Sequence, residues 1–309
     1  MDTGYQLLIV DTTAQTLLVV DGLTNAIMAE VTLPAVEAIT AIYPADDGKR
    51  AFLPAAGNGG SGSIHILNLT NYSLYRLPVT ISHPEYFALR HPIAYFADPA
   101  GNLYSLDTAT LAVTPGKTNG TQLSCMSLAA AGEYLFSLWE EGKSGLFSVM
   151  STAGQLLREY RLPGAPTAMT VDSDGLAYVA LSGHNHQLGL AVIGKEAGDV
   201  PPTARKLNCP HCKVPLTGYP IDLALSDTTI YLITEEGALT LIDKTTLQPT
   251  AHMLLGQPLD TIHLLPDRQQ AIGLSVMKGS LAKIDLAAGR ITATTATSHY
   301  LGPMAVIRK

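Results

Sequence analysis

Residues 219–258 read YPIDLALSDTTIYLITEEGALTLIDKTTLQPTAHMLLGQP, and the fold can be predicted outward from them. The stretch holds four short runs of β-branched or bulky residues, each bounded by Gly, Asp or Pro, which is typical of strands joined by tight turns. The predicted strands are Ile221–Leu225, Ile230–Thr234, Ala238–Asp243 and Pro249–Leu254. Four antiparallel strands in about 40 residues are typical of one blade of a β-propeller.

The third strand of this stretch ends in LTLIDKTT, and this ending recurs along the whole chain. Clear copies carry Asp or Asn after an apolar strand, at Asp21, Asn68, Asp107, Asp243 and Asp285. Two weaker copies lie between Asp107 and Asp243, at Ser151 and Gly194. Neighbouring copies lie 39 to 49 residues apart, and a step of similar length leads from Asp285 past the C-terminus to Asp21. Seven such copies predict an all-β, seven-bladed β-propeller of four-stranded antiparallel blades, with residues 1–309 forming a single domain.

The two ends of the chain are predicted to share one blade. Near the N-terminus only three strands can be found, Gln6–Val10, Thr16–Asp21 and Ile27–Thr32. The C-terminal run Met304–Arg308 supplies the missing innermost strand. Sharing a blade in this way closes the ring and removes the open sheet edges that recruit other strands.

Composition argues against several classes of function. The net charge is −7 and no basic run occurs, whereas binding to nucleic acid needs clustered Lys and Arg. No glycine-rich phosphate loop opens a helix, so a nucleotide is not expected. No apolar run approaches the roughly 20 residues of a transmembrane helix, so a transmembrane segment is not expected. Neither a nucleophile elbow nor a Ser–His–Asp set can be picked out, so no catalytic residue is predicted.

Blade 5 concentrates residues that could form a site. Its second-to-third turn carries His184 and His186, and the stretch 194–220, predicted to be a long irregular loop, carries Cys209, His211 and Cys212. Three alternatives stand: a local Cys209–Cys212 disulfide, a zinc site completed by histidines, or free thiols. Haem attachment is not expected, because Lys213 follows the second cysteine where histidine is required. Cys125 is expected to be a small buried hydrophobe.

A second candidate site lies at the predicted channel mouth. Four carboxylates stand where innermost strands begin, at Glu37, Glu85, Asp222 and Asp260. Together they could bind Ca²⁺ or a basic ligand, because carboxylate oxygens are the ligands that Ca²⁺ prefers. The alternative is that they are ordinary solvated turn residues. The repeated Asp and Asn residues are assigned a structural role, because Asx side chains accept hydrogen bonds from backbone N–H groups in turns.

Two stretches carry a resemblance to a known family. Residues 219–258 and PTAMTVDSDGLAYVA at Pro166–Ala180 resemble the repeats of the YVTN-type seven-bladed propellers. The resemblance implies relatives that are surface or periplasmic proteins, subunits of redox complexes and, more distantly, lactone hydrolases. Such motifs specify a fold better than a function.

These observations lead to an expected function. We expect a non-catalytic binding or scaffold propeller that presents a ligand face, dominated by blade 5, to a protein partner or to copies of itself. The alternative is a metal-dependent lactonase-like hydrolase or the propeller subunit of a dehydrogenase or electron-transfer complex. The location is expected to be extracytoplasmic (periplasmic, cell-surface or secreted), with the leader absent from this sequence, and a cytoplasmic protein is the alternative.

Overall fold

The structure is a computed structural model of the chain. It describes residues 4–35, 37–45, 47–57, 61–81, 84, 86–98, 102–118, 124–141, 144–182, 188–194, 203–206, 218–297 and 299–308. Within these ranges every regular element is a β-strand, and the strands form seven antiparallel sheets arranged as the blades of a ring. The prediction of a seven-bladed β-propeller is confirmed.

The strands of each blade are given from the innermost to the outermost. Blade 1 consists of Leu301–Arg308, Tyr5–Asp11, Thr16–Asp21 and Ile27–Thr32; blade 2 of Glu37–Ile39 with Tyr43–Pro44, Arg50–Gly57, Gly62–Asn68 and Leu74–Ile81; blade 3 of Tyr86–Arg90, Ile93–Ala97, Asn102–Asp107 and Val113–Thr118. Blade 4 consists of Ser124–Ala131, Tyr134–Glu141, Ser144–Ser151 and Leu156–Leu162; blade 5 of Ala165–Val171, Leu176–Ser182, Leu188–Gly194 and Thr203–Lys206. Blade 6 consists of Pro220–Leu225, Thr229–Thr234, Ala238–Asp243 and Pro249–Leu254; blade 7 of Thr261–Leu264, Gln270–Ser275, Ser280–Asp285 and Arg290–Ala296.

The termini share blade 1 as predicted. Strand Leu301–Arg308 pairs antiparallel with Tyr5–Asp11, so that Arg308 lies opposite Tyr5 and Met304 lies opposite Ile9. The side chains of Met304 and Ile307 are buried against the neighbouring strands. The last strand of the chain therefore completes the sheet that the first strands begin.

One prediction for blade 5 needs correction. The stretch 194–220 was predicted to be irregular, but Thr203–Lys206 within it is the outermost strand of the blade and pairs with Leu188–Gly194. Its sequence, TARK, lacks the alternation of apolar and polar residues by which a strand is recognised. An outermost strand needs only one hydrogen-bonded neighbour, so a short polar run can serve.

The core lies between neighbouring blades. Between blades 2 and 3, the ring of Phe87 lies 5.0 Å from Tyr43, 5.7 Å from Phe52 and 6.2 Å from Phe96, measured between centroids. Such contacts bury both faces of each sheet, and burial of aromatic side chains is a large favourable term in folding. Cys125 is buried beside Trp139 in a smaller cluster, as predicted.

The repeated Asp and Asn residues form one kind of turn, as predicted. In each, the side-chain Oδ1 accepts hydrogen bonds from the backbone N–H groups two and three residues later, at Asp21, Asn68, Asp107, Asp243 and Asp285. The fourth residue after each has a positive φ, at Asn25, Tyr72, Leu111, Leu247 and Gly289. The turn joins the third strand of a blade to its outermost strand.

Candidate functional site

The described candidate site residues lie on one face of the ring, which we call the upper face. It carries the turns between the second and third strands and the segments that lead into the innermost strands. Antiparallel order places these two kinds of segment at the same end of every blade. Of the predicted site residues, Glu37, Asp222 and Asp260 lie on this face, and the other six lie outside the described residues: Glu85, His184, His186, Cys209, His211 and Cys212. For these six the sequence predictions stay predictions.

Asp222 connects two blades. Its Oδ1 accepts a hydrogen bond from the N–H of Leu223 at 2.8 Å, and its Oδ2 accepts one from the N–H of Ile262, in blade 7, at 2.9 Å. Burial raises the pKa of Asp222 to about 6, and the two backbone N–H groups offset only part of that rise. In this structure its carboxylate holds the innermost strands of blades 6 and 7 together.

Asp260 holds a turn of its own blade. Its Oδ2 accepts a hydrogen bond from the N–H of Val276 at 2.6 Å, while its backbone N–H donates to the carbonyl of Leu274 at 2.7 Å. The carboxylate thereby fixes the second-to-third turn of blade 7 against the start of the innermost strand.

Glu37 lies in a polar network that crosses blade 2. Its Oε1 accepts two hydrogen bonds from Arg76, at 2.6 and 3.1 Å, and its Oε2 accepts from His65 at 2.6 Å and from Ser63 at 2.8 Å. Burial by itself would raise the pKa of Glu37, but these hydrogen bonds outweigh it and lower the pKa to about 2. Glu37 is therefore ionised at neutral pH.

The structure does not gather the described carboxylates into a metal site. Across the described residues, no three His, Cys, Asp or Glu side chains are arranged to hold a metal ion. Glu37, Asp222 and Asp260 each have their own local partners instead. A metal bound by residues of blade 5 or by Glu85 stays a prediction, because those side chains lie outside the described ranges.

A pair of residues that the sequence did not single out lies on the same face. Asp11 is buried at the end of a strand of blade 1, and its Oδ2 lies 2.5 Å from Nδ1 of His299. Its Oδ1 accepts hydrogen bonds from the N–H groups of Thr13 at 3.0 Å and Ala14 at 2.7 Å. Burial opposes ionisation, but these hydrogen bonds prevail and lower the pKa of Asp11 below its ordinary value. The run LLIVDTTAQ that contains Asp11 has the repeated Asp-turn pattern one strand earlier than the others.

A cavity of about 240 Å³ opens beside these carboxylates, between blades 1 and 2. We call it the inter-blade cavity. Its walls are about equally polar and apolar: Val10, Leu33 and Ile39 supply apolar surface, and Asp11 and Glu37 are among the polar residues of the lining. A concave surface that combines apolar side chains with a few convergent polar groups is the usual form of a small-ligand site.

Large apolar side chains are exposed on three consecutive blades of the upper face. Tyr219 in blade 6 is 39% exposed, Met277 in blade 7 is 73% exposed and Tyr300 in blade 1 is 57% exposed. The two tyrosines occupy equivalent positions, because each precedes an innermost strand and each accepts, at its carbonyl, the first N–H of the following turn, from Glu235 and from Thr12. Met277 projects from the turn of the blade between them. We call these three residues the Tyr–Met–Tyr arc.

Comparisons with known proteins agree on the fold. No protein-family model and no curated protein matches the sequence. Among solved structures, a functionally unknown protein from Desulfotomaculum acetoxidans superposes with a TM-score of 0.75 at 12% identity, over 98% of this chain and 99% of that chain. PpgL, a periplasmic gluconolactonase from Pseudomonas aeruginosa, superposes with a TM-score of 0.72 at 14% identity, over 98% and 99% of the two chains. Hydrazine synthase from Kuenenia stuttgartiensis gives a TM-score of 0.70 at 14% identity, over 88% and 90%.

These findings define the class of protein. The chain is a seven-bladed β-propeller, and its neighbours share that fold at identities too low to carry a function. Membership of the YVTN-type family stays a prediction. The part of the chain that the structure describes contains no helix long and apolar enough to cross a membrane.

Proposed function

We propose that this propeller is a non-catalytic binding protein whose upper face docks a protein partner. The observation that carries the proposal is the Tyr–Met–Tyr arc on three consecutive blades. Tyrosine supplies large contact area with little loss of conformational freedom, and methionine adapts its shape to a partner. Tyr and Met are also enriched at the contact surfaces of protein–protein interfaces.

The charges near the arc favour a partner of a particular kind. Glu235 and Glu236 are exposed in the turn of blade 6 beside Tyr219, while Lys278 is exposed next to Met277. The chain as a whole carries a net charge of −7. We therefore expect a partner with an apolar contact patch bordered by Lys or Arg, since opposite charges speed association. Self-assembly through this face is the less favoured form of the proposal, because two acidic copies repel each other.

The proposed location is extracytoplasmic. One similar structure, PpgL, is described as periplasmic, and the fold suits an exported protein as well as a cytoplasmic one. A lactonase-like or redox-complex role stays a prediction, because the likeness to PpgL and to hydrazine synthase extends to the fold alone.

Site-specific photo-crosslinking tests the docking proposal. A photoreactive amino acid replaces Met277 in one sample and Leu23 in the other, because Leu23 is 56% exposed but lies in a turn at the opposite end of blade 1. We expect position 277 to capture a defined protein that position 23 does not. With that protein purified, Tyr300→Ser should weaken binding about tenfold or more, and Leu23→Ser should leave it unchanged. Identical capture at both positions, or equal affinity of the two variants, would reject the proposal.

A further inference from the structure

We propose that the inter-blade cavity binds a short alkyl chain that ends in an ammonium or guanidinium group. The chain is supplied either by a free amine or by a Lys or Arg side chain of a protein. The cavity adjoins the blade-1 end of the Tyr–Met–Tyr arc, because Thr12 in its lining donates to the carbonyl of Tyr300. The inference does not depend on a partner docking on that arc.

The size and walls of the cavity suit the alkyl part. Its volume is about 240 Å³, and an engineered apolar cavity of about 150 Å³ is enough to hold benzene. Val10, Leu33, Ile39 and Ala56 present apolar surface along it. Long basic side chains lay their methylene groups along such surface while the charged end reaches a polar group.

The polar side of the cavity suits a cation. Glu37 is ionised, but its four acceptor positions are used by Arg76, His65 and Ser63, so it contributes charge rather than a vacant acceptor. Asp11 is different, because among the described residues its Oδ2 contacts Nδ1 of His299, and a carboxylate oxygen can accept two hydrogen bonds. Asp11 is thus the group that would receive the ligand's N–H.

The charges nearby also discriminate between ligands. Arg76 pairs with Glu37 and His299 pairs with Asp11, so the polar side of the cavity presents two carboxylates. An anionic ligand would be repelled by Asp11, and a neutral alkyl chain would leave the remaining acceptor of Asp11 without a donor. A bare metal ion would leave the apolar walls unused.

The test uses the full-length chain and four probes in calorimetric titration. Agmatine and butylammonium represent the free amine, 1-butanol is the neutral control, and a capped Gly-Gly-Arg-Gly-Gly peptide represents a protein side chain. We expect at least one charged probe to bind with a Kd on the order of 1 mM or tighter, and 1-butanol to bind at least about tenfold more weakly. Preference for agmatine would identify a free ligand as the source, and preference for the peptide would identify a protein side chain.

Two variants, each with a matched control, test whether the probes bind in the inter-blade cavity. Asp11→Asn should weaken the charged probe about tenfold, while Asp243→Asn removes the same charge from the same kind of turn on the opposite face and should not. Ala56→Leu should fill the cavity and abolish binding, while Ala293→Leu, on the exposed outermost strand of blade 7, should not. Melting curves show which variants are folded. Each variant has its own control, so if one variant fails to fold, the other variant still tests the inference. No binding by any charged probe, or binding that Asp11→Asn and Ala56→Leu leave unchanged, would overturn the inference.

Discussion

The carboxylate of Asp222 joins the innermost strands of two blades, and it does so with a pKa of about 6. An ordinary aspartate has a pKa of 3.8, so the folded protein holds the proton of Asp222 more tightly than the unfolded chain does. Because the folded-state pKa is the higher one, the contribution of this group to stability is fully present below the unfolded value. It is lost as the pH rises through the folded value.

Replacement of Asp222 by Ala tests the direction of this pH dependence. We expect the stability of the natural chain, measured relative to Asp222→Ala, to fall by roughly 2 kcal/mol between pH 4 and pH 7. Urea unfolding of both proteins at the two pH values gives the difference, and other titrating groups cancel in the comparison. A difference that stays constant, or that grows as the pH rises, would contradict the assigned role.

The sequence predicted the positions of these carboxylates but not their hydrogen-bond partners. Strand pattern was enough to place Asp222 and Asp260 at the starts of innermost strands. Their partners, Ile262 and Val276, depend on how strands pack side by side and on a turn geometry that no local pattern encodes. The contact between Asp11 and His299 joins residues 288 positions apart, so it can be found only after the ring is closed.

The recurring turn after the third strand is the element that organises each blade. In blade 6, Oδ1 of Asp243 accepts hydrogen bonds from the N–H groups of Thr245 and Thr246 and from the hydroxyl of Thr246. These bonds hold a turn in which Leu247 takes a positive φ, a conformation that residues other than glycine seldom adopt. The side chain of the aspartate thus stabilises a backbone that its neighbours alone would not favour.

We expect Asp243→Ala to lower the free energy of unfolding and the denaturant midpoint, because the turn loses its side-chain acceptor. Asp227→Ala in the same blade is the matched control. Asp227 is exposed and, within the described residues, pairs with Arg268, and exposed ion pairs contribute little. Denaturant unfolding at neutral pH compares the two, and equal losses would refute a special role for the repeated turn.

The turn also explains which elements the sequence could predict. Strands and turns of blade 6 agree with the structure to within a residue or two, because the Asp turn fixes the register of the strands around it. Blade 5 was less predictable, since Thr203–Lys206 is short, polar and paired along one edge only. Apolar patterning carries no information about such a strand.

For the molecule as a whole, closure of the ring is the feature with the widest effect on stability. Strand Leu301–Arg308 covers the inner edge of Tyr5–Asp11 and buries Met304, Ala305 and Ile307. Removal of residues 303–309 should leave a soluble protein that is less stable by on the order of 5 kcal/mol, because a backbone ladder and several apolar side chains are lost.

Thermal unfolding of the truncated chain, alone and with a synthetic peptide of residues 299–309, measures this effect. We expect a clearly lower melting temperature, and partial recovery when the peptide is added, because the peptide can occupy the vacant inner position. An unchanged melting temperature after truncation would mean that the shared blade does not hold the ring closed.

The shared blade also sets an order of events during synthesis. Tyr5–Asp11 leaves the ribosome early, but its partner Leu301–Arg308 is made almost three hundred residues later. At translation rates of about 5–20 residues per second, the inner edge of the first strand waits on the order of 15 to 60 seconds for its neighbour. Six blades can take shape in that interval while the seventh stays incomplete. The nascent chain therefore carries an unsatisfied strand edge until Leu301–Arg308 has emerged, and chaperones or a neighbouring nascent chain can contact that edge during this interval.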